Sequence, residues 1–543
     1  MSRLIGLETE YAIRFTPTPG YPRPGNDEVY DAIQRAVGAL VTTRSAGGLV
    51  PSVRRRVFME NGGSLSYEHL PWAEDGGLVE GATPECRSAS QLLCYQRAQE
   101  RLLVHALPAA TSLLEDAGFP GQLGLIKNCR DVDGQIYGAQ ENYEVVVARG
   151  PHRVAYLTGL SLLAPLVLIY GLLQWGVVFA YLVLWGLPGA FIRKGPFDDA
   201  WARDVRMLER IVRVMYWPVT YGFLLLMRKT AFTKVRGAAT GFMVSRAVIS
   251  GAGTVSPDGS FGLSEKGPAI GALCRTTVDN DQRSIFDTGN LVKAVPQAGL
   301  EPSLSSYRRL FRRSQRMQLG LSDSNMADVA EALKIGTTAL VVDMADAGWL
   351  DDAPVLDDPV AGLKAVCADP TLRAEVATDR GPMTALDLQR YYLERAEAWV
   401  AQGTTIPLAT HRLVVLWRQA IEGLATDPAG WIGRIDWVTK RFLLEECGTD
   451  ATHPVRKRLD IGYHELGRGY FERLKDLLEC PELVDPEEIE RAMRSPPTGS
   501  PATLRGELVR RYADAAYVSI DWHQVRVGGP LRRKVLRLDD YRD

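Results

Sequence analysis

The sequence has no surplus of charge of either sign: 63 lysines and arginines stand against 65 aspartates and glutamates in 543 residues, a formal net charge of −2. No run of basic residues interleaved with aromatics supplies a local exception, so nucleic acid is excluded as the main partner. Cysteine pairs are missing as well. Cys86, Cys94, Cys129, Cys274, Cys367, Cys447 and Cys480 are scattered and none forms a C-x-x-C, which argues against a zinc site or a disulfide framework and fits a reducing compartment. There is no G-x-x-x-x-G-K-S/T loop and no Rossmann glycine fingerprint, so a bound nucleotide has to be held by carboxylates and metal ions. The opening MSRLIGLETEYAIRF lacks the basic-then-apolar layout of a signal peptide, which predicts a cytoplasmic catalytic part.

What is present is ordinary globular composition, 46% apolar and 24% charged, in a chain too long for a single core. Mixed strand and helix patterns over 1–154 and again from 238 predict an α+β fold. A Gly/Pro-rich loop spans Thr16–Asn26, and helices are expected over Asp27–Val41, over Ala89–Leu114 and repeatedly after Leu386. The turn-like SPPTGSP at Ser495–Pro501 opens a small C-terminal module, 495–543.

One stretch breaks this pattern. Residues 154–192 carry no charge and are flanked by Arg149, Arg153, Arg193 and Lys194; that is enough for about two bilayer crossings at roughly 20 residues each. A second apolar block runs from Val214 to Met227. Residues 155–237 therefore read as a hydrophobic, membrane-associated helical insertion. Because the flanking segments build one site, the number of crossings is expected to be even. Either a hairpin bends near Gln174–Gly176 with the second block in the interface, or each block crosses once around a loop near 190–210. Deleting 160–236 is expected to leave a soluble core.

The candidate chemistry lies in acidic strands. In Gly6-Leu7-Glu8-Thr9-Glu10, alternation sets both carboxylates on one strand face. Two like charges so close call for a cation, and hard oxygen ligands suit Mg²⁺ carrying ATP. Glu80 and Glu85 in VEGATPE supply a second carboxylate set, preceded by Glu68 and His69. Lys127-Asn128 and Tyr137-Gly138-Ala139-Gln140-Glu141-Asn142-Tyr143 form a third polar piece.

Taken in series, IGLETEYAI, NGGSLSYEH, VEGATPEC, LIKNCRDVDGQIYGAQENY, ISGAG, SDSNMADVAEALKIGTTALVVDM, IDWVTKRFLL, LDIGYHEL and PPTGSPATLRGE resemble the Pup ligase and Pup deamidase/depupylase family. Only about 160–238 falls outside the resemblance. It implies a glutamine-synthetase-like antiparallel sheet cradle for Mg-ATP, formed by 1–154 and 238–494, with 495–543 helping to hold a Pup-like protein tag. It implies phosphorylation of the tag's C-terminal glutamate, then attack by a substrate lysine amine to give an isopeptide, in proteasomal targeting. The resemblance sets Glu8, Glu10, Glu80 and Glu85 as metal ligands and Glu68 as the catalytic carboxylate. Lys127, Gln140, Asn142, Arg308 and Asn325 become the cofactor-binding candidates.

SDSNMAD, IDWVTKR and LDIGYHEL look closer to the ligase than to the depupylase. Three departures keep alternatives in play: Glu68 replaces an aspartate, Gln140 replaces a histidine, and Asp287-Thr288-Gly289-Asn290 lacks an arginine. The alternatives are a depupylase or deamidase, and a membrane-tethered pseudoenzyme that binds tag or nucleotide. His464 and His523 read as structural, and Lys334 as a helix-surface residue or a phosphate contact.

Overall fold

The computed structural model describes residues 3–46, 55–70, 76–181, 183, 199–277, 283–299, 304–403, 406–448, 451–515, 517–529 and 534–538. The chain folds as two units. Met1–Tyr143, Ala239–Ala269 and Leu321–Asp543 make the first, and Glu144–Ala238 with Ile270–Gly320 the second.

The first unit is organised by β1 (Ile5–Pro17), in which Ile5, Leu7, Thr9 and Tyr11 are buried while Gly6, Glu8 and Glu10 are half-buried. That alternation gives the strand an inner and an outer face. After α1 (Asn26–Leu40) and the short β2 (Thr43–Ser45) and β3 (Val57–Met59), the strands β4 (Ser64–His69) and β5 (Gly77–Ala82) follow. Helix α2 (Ala89–Asp116), β6 (Gly121–Ile126) and β7 (Gln140–Val146) complete this part. The strand order from β1 outward is β5, β4, β3, β2. The opposite edge of β1 is shared: Ile5–Glu8 pair with Tyr143–Gln140 of β7, and Ala12–Pro17 pair with Ile126–Gly121 of β6.

α1 and α2 cover the Leu7/Thr9/Tyr11 face. From α2, Gln96 Nε2 donates to Thr9 Oγ1 at 3.1 Å and Gln99 Nε2 to Tyr11 Oη at 2.9 Å. The helix comes this close because β5 offers Gly81, where a Cβ would lie 2.2 Å from Gln99 Nε2. The predicted C-terminal module is part of this unit. Phe58 of β3 shares a buried cluster with Leu508, Val509, Val518, Ile520, Val525 and Leu538.

In the second unit, β8 (Ile270–Cys274) and β9 (Arg283–Asp287) run parallel, and β10 (Ser314–Leu319) is antiparallel to β9. The α+β fold expected from the sequence is present, with β8–β9 a parallel pair among the described strands. Two long helices, α3 (Gly150–Tyr181) and α4 (Asp199–Thr230), pack on each other. Gly159 lets them touch, since a Cβ there would lie 2.5 Å from Leu226 Cδ1, and the Tyr170 and Tyr216 rings meet at 5.6 Å. α5 (Gly289–Gly299) lies against both helices. Of the two courses expected for the apolar blocks, the one with a bend near Gln174–Gly176 is overturned, because α3 continues through it. The unit takes in the expected insertion 155–237 and adds 270–320, because α3 and α4 bury a side against α5 and its neighbours. The end of the uncharged run, 184–192, lies outside the described residues.

Candidate functional site

Register sets the site. Across β1, β5 and β4, Glu10 stands opposite Glu80 and Glu80 opposite Ser66. One step along, Gln140, Glu8, Ala82 and Ser64 are in line, and Asn142 lies opposite Gly6. Directly opposed residues share a sheet face, and alternate residues of a strand return to it. Glu8, Glu10, Ser64, Ser66, Glu68, Glu80, Gln140 and Asn142 therefore occupy the face opposite α1 and α2.

This face is electrostatically loaded, because like charges directly opposite each other are destabilising and Glu10–Glu80 is such a pair. Part of the charge is met by protein: Gly138 N–H donates to Glu10 Oε2 at 2.8 Å, and Arg56 Nη2 lies 3.8 Å from Glu80 Oε1. The buried Ser64 Oγ, Ser66 Oγ and Asn142 Oδ1 have no hydrogen-bond partner among the described residues, which is costly unless a ligand or solvent supplies one. Opposed carboxylates beside orphaned oxygens fit a hard cation with an oxygen-rich ligand.

The predicted four-carboxylate metal set is corrected at Glu85. Pro84 and Glu85 lie past the end of β5, so strand alternation no longer aims Glu85 at the face. Its carboxylate accepts both terminal nitrogens of Arg505, Nη1 to Oε1 at 3.2 Å and Nη2 to Oε2. Arg505 also donates to Gly62 O at 2.8 Å, and its guanidinium lies 4.4 Å from the Trp522 ring centroid. Among the described residues, no three His, Cys, Asp or Glu side chains are close enough to hold a metal ion on their own.

Lys127 and Asn325 are also corrected, since neither is brought to the carboxylate face. Lys127 Nζ is buried between Glu100 Oε1 at 2.6 Å and Asn325 O at 2.5 Å. Burial would raise the Glu100 carboxyl, but Arg97 and Lys127 outweigh it and hold it at about 2. Asn325 Nδ2 donates to Ser250 O at 3.0 Å and to Asp436 Oδ2 at 2.9 Å. Arg308 lies in the exposed turn of helix Ser305–Arg309 of the second unit. Lys334 is neither on the surface nor on this face: its Nζ is buried against Asp323 O at 2.6 Å and Glu331 Oε2 at 3.0 Å.

Sequence reasoning missed the groups that support the face. Lys266 Nζ donates to Ala139 O at 2.5 Å and so holds the Tyr137–Gln140 turn that presents Gly138 N–H to Glu10. Behind Lys266, Asp323 accepts from the backbone N–H of Ala252, Glu265 and Lys266. Glu141, between Gln140 and Asn142, points the other way and pairs with Arg246 at 2.8 Å. The signal for Ser64 and Ser66 was present in SLSYEH, whose alternation carries both hydroxyls and Glu68 to one side.

A buried charge cluster completes the first unit. Lys440 Nζ donates to Asp460 Oδ1 at 2.7 Å, to Gly253 O at 2.7 Å and to His464 Nε2 at 2.9 Å. Burial and the neighbouring lysines hold His464 well below its ordinary pKa, so it is neutral and structural. Burial pushes the Glu265 carboxyl up to about 7, with Asp460 and Asp323 adding to it against the pull of Lys440. In the second unit, the arginine missing at position 289 has a neighbour in its stead: a Cβ on Gly289 would lie 2.9 Å from Arg275 Cζ, and Arg275 Nε donates to Asp287 Oδ1 at 2.9 Å.

Fold and face together define an α+β protein whose chemistry rests on an acid-bearing sheet. The family model described as Pup-ligase protein matches residues 3–526, and the chain belongs to that family. The Pup–protein ligase of Acidimicrobium ferrooxidans is 27% identical over 99% of this chain and 96% of its own length. That of Nakamurella multipartita is 28% identical over the same shares. Among solved structures, the complex between prokaryotic ubiquitin-like protein Pup and its ligase PafA matches with a TM-score of 0.68 and 22% identity, covering 99% of this chain and 89% of that one. PafA in complex with ADP matches at 0.63 and 20%, covering 97% and 92%. Both share the fold.

Proposed function

We propose that this chain is an ATP-dependent ligase that joins the C-terminal glutamate of a Pup-like tag to lysines of protein substrates through a glutamyl phosphate. The observation that carries the reading is the opposed Glu10–Glu80 pair with Ser64, Ser66 and Asn142 beside it, in a chain whose family and curated relatives are Pup ligases. Carboxylates from among Glu8, Glu10 and Glu80 would hold Mg²⁺ together with its nucleotide, and when bound the ion neutralises phosphate charge. Ser64 and Ser66 offer hydroxyls to phosphate oxygens. Glu68, on the same face, accepts the proton of the incoming lysine amine. A carboxylate is a poor electrophile at neutral pH, and phosphorylation gives it a leaving group. The names of the curated relatives favour ligation over depupylation. The test is ADP release and isopeptide formation by the full chain with Mg²⁺, ATP, a Glu-ended tag and a lysine-bearing protein. ATP and tag binding with no turnover would favour the pseudoenzyme instead, and tag release from a conjugate without ligation the depupylase.

The reading includes a location. The second unit carries the protein to a membrane surface, with the catalytic part on its cytoplasmic side. Supporting this, α3 is a 32-residue helix of mean hydropathy 2.0 in its most apolar window, and Leu162 and Leu172 are 72% and 74% exposed. Contiguous apolar surface of this kind is rare on soluble monomers.

A further inference from the structure

A helix that crosses a bilayer is flanked by lipid or by other spanning helices, whereas one side of α3 and α4 is covered by segments of 11 and 5 residues, too short to span. On α3, Tyr156, Leu160 and Val167 are fully buried, as are Tyr216, Phe223, Leu224 and Met227 on α4. Tyr156 Oη donates to Leu310 O at 2.8 Å, and Tyr307 Oη to Leu160 O at 2.6 Å. With α5 against both helices, this side of the pair is committed to the protein itself.

The other side is apolar and exposed. On α3 it carries Leu162, Leu166, Ile169 and Leu173, at spacings of four, three and four residues. On α4 it carries Ile211, Val214, Trp217, Tyr221 and Leu225 at the same kind of spacing. α4 is also basic, with Arg203, Arg206, Arg210, Arg213, Arg228 and Lys229 against Asp199, Asp204 and Glu209. Arg149 and Arg153 add to this charge at the start of α3. A helix with an apolar row that includes tryptophan and tyrosine, and with several arginines, is built to lie in a membrane interface, and the basic excess matches anionic headgroups.

We infer that the α3–α4 pair docks side-on, in the plane of an anionic lipid surface, with its exposed rows in the acyl boundary, and does not cross the bilayer. This rests on the membrane association proposed above. The full chain should co-sediment with vesicles containing about a third phosphatidylglycerol at least about tenfold more strongly than with pure phosphatidylcholine. Raising salt from about 0.05 M to about 0.5 M should weaken that binding by a similar factor. Trp217→Asp, on the exposed row, should abolish it, with an unchanged circular dichroism spectrum showing that the fold survives. Arg210→Cys, in inside-out membrane vesicles, should react with a membrane-impermeant maleimide without detergent, as mapped by mass spectrometry. Labelling only after detergent would mean that α4 crosses, and equal binding to both vesicle types would remove the anionic preference; either result overturns this inference while leaving membrane association intact. Failure to bind either vesicle would overturn the membrane reading itself.

Discussion

Glu68 stands on the polar face by alternation from Ser64 and Ser66, one methylene longer than the aspartate of the family pattern. A positioned base contributes about 10²–10⁴ in rate. Glu68→Gln should therefore lower conjugation by roughly that factor while the ATP dissociation constant, measured by calorimetry, stays within about twofold. Glu265 gives a second residue-level prediction. Its folded pKa of about 7 lies above the ordinary 4.5, so its contribution to stability is fully present below about 4.5 and is lost as pH rises through 7. Glu265→Gln should flatten the Tm profile between these values; an unchanged slope would point to other groups. The placement of Glu8 and Glu10 on one strand face was legible because strand alternation is visible in a sequence. Glu85 and Lys127 were not, since their partners, Arg505 and Glu100, come from distant segments.

At the scale of elements, one buried guanidinium helps to fasten the C-terminal segment to the first unit, beside the Phe58 cluster. Arg505 is fully buried, bonded to Glu85 and Gly62 and stacked near Trp522. Removing one partner of a buried ion pair costs about 3–5 kcal/mol. Arg505→Met should destabilise by about that lower value, read as a fall in the denaturant midpoint, and should weaken tag binding if this segment forms part of the tag surface. Periodicity made α1 and α2 legible to within a residue or two, because each has one face to bury. It left the course of α3 open between a bend and a continuous helix, because the nearly uncharged sequence has no polar face to mark where its packing changes.

For the molecule as a whole, the division into units alters one expectation. Deleting 160–236 was expected to free a soluble core, yet α5 buries Leu291, Val292 and Val295 in the unit that α3 and α4 build. The deletion should instead give an aggregating chain, scored by size-exclusion chromatography. Replacing Leu162, Leu166, Ile169 and Leu173 with glutamine should leave a folded protein that no longer pellets with membranes. The fold class was legible from mixed periodicity, but the unit boundaries were not, because β8, β9 and β10 join α3 and α4 only through contacts distant in sequence.

The order of these segments along the chain also has a consequence in time. α3 is complete at Tyr181, whereas α5 begins at Gly289. At about 5–20 residues per second, translation leaves an interval of roughly 5–20 s between them. During it α3 exists without α5 and without Leu310 and Tyr307, the partners of Tyr156 and Leu160. A nascent apolar helix in that condition is a substrate for whatever reaches it first, chaperone or lipid. Ribosomes stalled near residue 285 should therefore be recovered with the membrane fraction, and those stalled near residue 140 should not.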